Sequence, residues 1–161
     1  MKTMWPKFFG VIFTFILAFL IATNISSYQN SEVIEEVRQS AIQQIENNPY
    51  LADSNEQSKS FRESYILELN DTLTVKKYEK SSLHRIVGNI IALLGLMLIR
   101  FRKSIGLHFV IGGIGFVVFS GFFIFGVSIV GWAMNIGYII LLGMLLLYYY
   151  AIKKYEANLD Q

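Results

Sequence analysis

The chain contains no cysteine in 161 residues. That excludes a disulfide framework, a thiol nucleophile and any thiolate metal or iron–sulfur site, and it leaves the compartment open. Charge is scarce too: Asp, Glu, Lys and Arg make up only 16% of the chain, and the formal net charge is +2. No Lys/Arg run interleaved with aromatics occurs, so no nucleic-acid partner is expected. Catalytic signatures are also missing: no GxSxG, no HExxH, no phosphate-binding loop and no pair of carboxylates inside an apolar run. Ser120 and His108 do not make up for this. On one helix they would stand ~120° apart and ~18 Å along the axis, too far for a dyad. No enzymatic activity, cofactor or bound metal is expected.

Long uncharged runs are what the chain does have. Hydrophobic residues make up 53% of it, and their distribution matters more than the total. Phe8–Thr23 and Ile86–Ile99 carry no charge, and Ser104–Ile152 is 49 residues without Asp, Glu, Lys or Arg. A soluble domain of this size could not cover so much apolar surface, whereas a bilayer can. The fold class expected is an all-α polytopic membrane protein. It would have four transmembrane helices and a small extracytoplasmic α or α+β segment between helices one and two.

The first span covers residues 1–28. Lys2 and Lys7 precede an apolar core of about signal-peptide length, but Thr23–Ser27 offers no clean small-x-small cleavage site, so a retained signal anchor is expected. Trp5 and Tyr28 bracket it as interfacial aromatics do. Residues 29–84 form the extracytoplasmic segment. Within it, 31–47 reads as an amphipathic helix with Ser31 as N-cap and Glu32, Glu35 and Glu36 in the first turn. The apolar face holds Val33, Ile34, Val37, Ala41, Ile42 and Ile45, and Asn47-Asn48-Pro49 ends it. For residues 65–76, alternation through Leu67, Leu69, Leu73 and Val75 around Asn70-Asp71 predicts a β-hairpin. The competing pattern is a helix from Ser54 to Asn70 using Phe61, Tyr65 and Leu69.

Residues 85–154 form three further spans. The second is short, with Ile86–Ile99 as its strictly apolar core. Arg85 and Arg100 would snorkel from its ends, and a re-entrant hairpin is the alternative. The third is expected from Ser104 to Ser128 and the fourth from Trp132 to Lys153, with a tight turn in the Gly126–Gly131 region. Residues 155–161 form a tail. Lys2, Lys7, Arg100, Arg102, Lys103, Lys153 and Lys154 fall at one side of such a bundle, and with Glu156 and Asp160 these flanks sum to +5. The segment Tyr28–Arg85 carries seven Lys/Arg against ten Asp/Glu. The positive-inside rule then predicts a multi-pass protein of the cell (inner) membrane with both termini cytoplasmic. Lys76, Lys77, Lys80 and Arg85, crowded at the outer end of helix two, run against that rule.

Small residues recur at helical spacing in the spans: Gly88, Ala92 and Gly95 in helix two, Gly106, Gly113 and Ser120 in helix three, and Ala133 and Gly137 in helix four. A second small face on helix three holds His108, Gly112, Gly115 and Gly126, which would make that helix central. Small residues let backbones approach closely, which drives helix association in lipid. His108 lies near the cytoplasmic interface with no carboxylate in any span, so a neutral structural histidine is expected over a proton relay. Asn89 and Asn135 are candidate interhelical hydrogen bonders.

The anchor followed by Ala41-Ile42-Gln43-Gln44-Ile45-Glu46-Asn47-Asn48-Pro49 resembles the start of cytochrome oxidase assembly factor 1 type domains. The chain departs from that pattern afterwards, with too few residues for the family's sheet. The function expected from the whole sequence is a small membrane accessory protein, a subunit or assembly partner of a larger complex or a homo-oligomer. Its partners would be the lipid bilayer and other membrane chains or itself, and Val33, Val37, Ala41 and Ile45 would form the contact. A transporter or channel component is the alternative.

Overall fold

In the computed structural model of the chain, residues 4–48, 56–101 and 105–157 are described, and the structural statements below concern these. They form six helices and no strand: α1 (Met4–Gln29), α2 (Val33–Glu46), α3 (Glu56–Thr72), α4 (Val75–Arg100), α5 (Ile105–Phe125) and α6 (Ile129–Ala157). By length and composition α1, α4, α5 and α6 can each cross a membrane. Their outward residues, including Phe15, Phe19, Phe119, Phe123 and Leu147, are exposed. So much contiguous apolar surface is stable only where lipid, not water, solvates it.

The expected hairpin over 65–76 is a helix–turn–helix instead. A strand would put Leu67 and Leu69 on one face. The structure exposes Leu67 at 73% and buries Leu69 to 3%. Helical spacing explains this, because Leu69 and Leu73 are i, i+4 and share the inner face with half-buried Tyr65. Asn70-Asp71 lies in the last turn of α3. Thr74 then caps α4, its hydroxyl accepting from the Lys77 backbone N–H at 3.3 Å.

α4 therefore starts ten residues before Arg85 and runs unbroken to Arg100, so the short apolar core is only the inner part of a 26-residue helix. Ser31 is not the N-cap of α2. Glu32 holds that position without a side-chain cap bond, and the Ser31 hydroxyl donates to the Glu79 carboxylate at 2.9 Å. α5 ends at Phe125, before Gly126, whose φ of +80° suits a residue without Cβ. Ser128 caps α6 by accepting from the Gly131 N–H at 3.1 Å. Gly131 must be glycine there, since a side chain would run into the Gly126 carbonyl.

The close helix pairs are α4–α5, α1–α4 and α5–α6. α4 and α5 thus share the centre, which the small-residue pattern assigned to α5 alone. The bundle core joins Phe13 and Leu17 of α1, Ala92 of α4, Val110, Ile114 and Val117 of α5, and Tyr138 and Leu145 of α6. A second, smaller core lies over the N-terminal end of α6, where Ile34, Leu69, Leu73 and Val130 pack α2 and α3 into a cap.

Candidate functional site

Three arrangements concentrate the residues that sequence patterns single out. The first is the antiparallel contact of α4 with α5. A methyl group on Gly113 would stand 2.5 Å from the Gly88 carbonyl and 2.7 Å from the Ala92 nitrogen. One on Gly106 would stand 2.5 Å from the Gly95 carbonyl. Two turns apart, the same approach repeats: Gly88 meets Gly113 and Gly95 meets Gly106, so the backbones touch with no side chain between them. Ser120 is buried but bonds its own helix, donating to the Val117 carbonyl at 3.1 Å. Gly112, Gly115 and Gly137 have nothing within 4 Å of a Cβ position and take no part in this contact. Gly121, which the sequence pattern did not single out, is where the Asn135 side chain of α6 rests against α5. It sits eight residues past Gly113, ~80° further round the helix, so it faces α6 instead of α4 and falls outside the seven-residue stripe.

His108 is exposed, edge-on to Tyr149 with ring centroids 5.9 Å apart. Beside it, the absent side chain of Gly112 leaves an open apolar groove against Ile91 and Phe109.

The second arrangement is a buried polar hub where α1, α4 and α6 meet. The Tyr138 hydroxyl accepts from the Asn24 amide at 3.1 Å and from the Asn89 amide at 2.9 Å. Arg85 lies over the Tyr138 ring, 5.6 Å from its centroid, and donates to the Met134 carbonyl at 2.6 Å. Cation–ring contact and a charge-assisted bond each favour a partly desolvated guanidinium. Ser81, Ser82 and Asn89 are buried on the same helix, yet the Ser81 and Ser82 hydroxyls, the Asn89 amide oxygen and Arg85 Nε have no protein partner. Asn89 thus joins helices, as its position suggested, whereas Asn135 donates within α6 to the Gly131 carbonyl at 2.8 Å. Tyr138 and Arg85 were not legible as hub residues. Tyrosine abounds in the apolar runs, and Arg85 looks like an interfacial anchor until α4 is known to begin at Val75.

The third arrangement is the cap. The Glu68 carboxylate accepts from the Val130 N–H at 2.9 Å, placing a negative charge at the N-terminal end of α6. Lys77 of α4 pairs with Asp71 of α3 at 3.1 Å, and Glu35 with Arg38 within α2. Of the four residues expected to meet a partner, Ala41 and Ile45 rest against the cap core. Val33 and Val37 are about half exposed, at 51% and 49%, and with Glu36, Ser40 and Gln44 they border a shallow depression.

No protein-family model, curated protein or solved structure matches the chain. Any functional reading therefore rests on these three arrangements. Among the described residues no cluster of His, Asp or Glu has metal-binding geometry.

Proposed function

We propose that the chain is a non-catalytic accessory protein of a membrane complex, which the cap engages through the Val33–Val37 face of α2. The observation that carries this reading is the cap's attachment. Ile34, Leu69, Leu73 and Val130 pack it onto the bundle, and Glu68 ties it to the α6 N-terminus. A segment held in this way presents Val33 and Val37 in a fixed position instead of closing over them. The depression beside them mixes apolar side chains with Glu36, Ser40 and Gln44, the composition of a protein contact rim more than of a lipid-seeking face. The basic residues that flank the spans in the sequence favour a multi-pass arrangement in a cell membrane with both termini cytoplasmic and the cap outside.

The transporter reading draws on the polar hub, but the hub goes no deeper than Asn89 and Tyr138. Moving away from the cap, α1 continues through Leu20, Leu17 and Phe13, α4 through Ala92, and α6 through Leu141, Leu142 and Leu145, all in the apolar core. A polar pathway would need ionisable groups or broken helices there.

The test is site-specific photo-crosslinking in native membranes. A crosslinker at Val37 is expected to trap one discrete product, and one at exposed Leu67 on α3 none. Val33→Asp should remove the product without changing the amount of inserted protein. Equal, diffuse crosslinking from both positions would sink the reading. Cysteines at Ser58 and Ser104 should label from opposite sides, and labelling from one side would overturn the topology.

A further inference from the structure

One strip of α4 carries Ser81, Ser82, Arg85 and Asn89 within about two turns, and its hydrogen bonding is one-sided. Tyr138 accepts from two amides, so its own hydroxyl proton has no acceptor among them. Turning the Asn89 amide would give that proton an acceptor and leave the Asn89 N–H groups unpaired instead. Among the described residues Arg85 donates to the Met134 carbonyl alone, while Nε is buried without a partner. Ser81 and Ser82 are 2% and 1% exposed, and neither hydroxyl is bonded. The seam therefore holds one fixed cation with an unmet Nε donor, beside two unpaired hydroxyls that can each donate.

The described residues supply no anion to that cation. Among the described residues no carboxylate lies within ion-pairing distance of Arg85. Glu79 is engaged by Ser31 and Glu68 by the Val130 N–H. The neighbouring basic side chains are turned elsewhere: Lys80 lies over the Phe123 ring at 5.9 Å, and His84 packs on Phe116 at 5.6 Å. An uncompensated cation with unmet donors is costly in a low-dielectric setting. Arg85 stands ~7–8 Å along the helix from Lys80, within reach of the interface for an arginine side chain. α1 and α6 each pack on the central pair and not closely on each other, being linked there by the Asn24–Tyr138 bond.

We propose that this seam binds the phosphate group of an anionic ligand entering from the cap end, with the Arg85 guanidinium and the Ser81 and Ser82 hydroxyls as donors. A phosphate presents several acceptor oxygens at once, which suits a guanidinium fork flanked by hydroxyls better than a two-oxygen carboxylate does. The group belongs either to the headgroup of an anionic lipid in the leaflet on the cap side or to a soluble phosphate-bearing ion. The proposal is independent of the α2 surface and stands or falls apart from it.

The experiment is thermal unfolding of the full chain in non-ionic detergent, with phosphatidylglycerol, phosphatidylcholine or inorganic phosphate added at constant ionic strength. Phosphatidylglycerol well above its dissociation constant is expected to raise Tm by on the order of 5 °C, with little effect from phosphatidylcholine. Arg85→Gln should abolish the shift. A shift from inorganic phosphate with the same dependence on Arg85 would equally support the site and identify the soluble source. Because the two serine hydroxyls are buried and make no protein bonds, Ser81→Ala with Ser82→Ala should not lower the ligand-free Tm and should reduce the shift. That pair decides the matter if Arg85→Gln does not fold. The proposal is overturned if neither anion shifts Tm, as when a carboxylate of another chain neutralises Arg85. It is equally overturned if phosphatidylcholine matches phosphatidylglycerol or if Arg85→Gln responds like the parent.

Discussion

The two sides of α4 differ in how they hold their neighbours. Toward α5, Gly88, Ala92 and Gly95 expose backbone to backbone, and nothing there needs a partner beyond van der Waals contact. Toward α1 and α6, Asn89 shares the Tyr138 hydroxyl with Asn24 and Arg85 donates to the Met134 carbonyl, and several groups are left unmet. The glycine side is complete as it stands, because helical backbones already satisfy their own hydrogen bonds. The polar side is incomplete. Stability is therefore expected to reside on the first side and ligand response on the second.

The sharpest way to break this contrast is Gly113→Leu against Gly112→Leu. The first forces a side chain into the Gly88 carbonyl and Ala92, while the second adds one where nothing lies within 4 Å. Gly113→Leu should cost about 3 kcal/mol or more, or prevent folding, and Gly112→Leu should stay within about 0.5 kcal/mol. Detergent unfolding curves measure both, and similar losses would mean that the close approach contributes nothing.

The next effect in size separates helix from hairpin in the cap. Leu69→Asp buries an unpaired carboxylate among Ile34, Leu73 and Val130 and should cost about 3 kcal/mol of cap stability, read as rapid proteolysis between α2 and α4. Leu67→Asp, on the exposed side, should leave proteolysis unchanged. Equal sensitivity at both positions would restore the two-residue period of a strand. The smallest effect is Tyr138→Phe, which removes the acceptor shared by Asn24 and Asn89 and should cost about 1–2 kcal/mol. A double-mutant cycle with Asn89→Ala should show coupling. Additive losses would separate the two residues.

Much of this architecture is legible in the chain. The uncharged runs mark four apolar helices because each must satisfy its backbone internally and match its surroundings along its whole length. The amphipathic α2 is equally plain from its spacing. The α3 segment was not, because Leu67, Leu69, Leu73 and Val75 satisfy a two-residue period while Tyr65, Leu69 and Leu73 satisfy a helical one. Only the burial of Leu69 beside the exposure of Leu67 separates them. The same limit applies to glycine. Gly112 and Gly113 are adjacent and identical as letters, yet one lies in the contact and the other faces open space.

The sequence by itself therefore determined which segments are long apolar helices, since hydropathy and helical period are local properties of the chain. Tertiary structure alone decided which small residues touch, because that depends on how α4 and α5 rotate against one another. It alone also brought Asn24, Arg85, Asn89 and Tyr138 together from three helices. Each of these residues has an ordinary local reading: interfacial asparagine, snorkelling arginine, lipid-facing tyrosine. Their meeting is a long-range event, set by packing that no short window of sequence encodes.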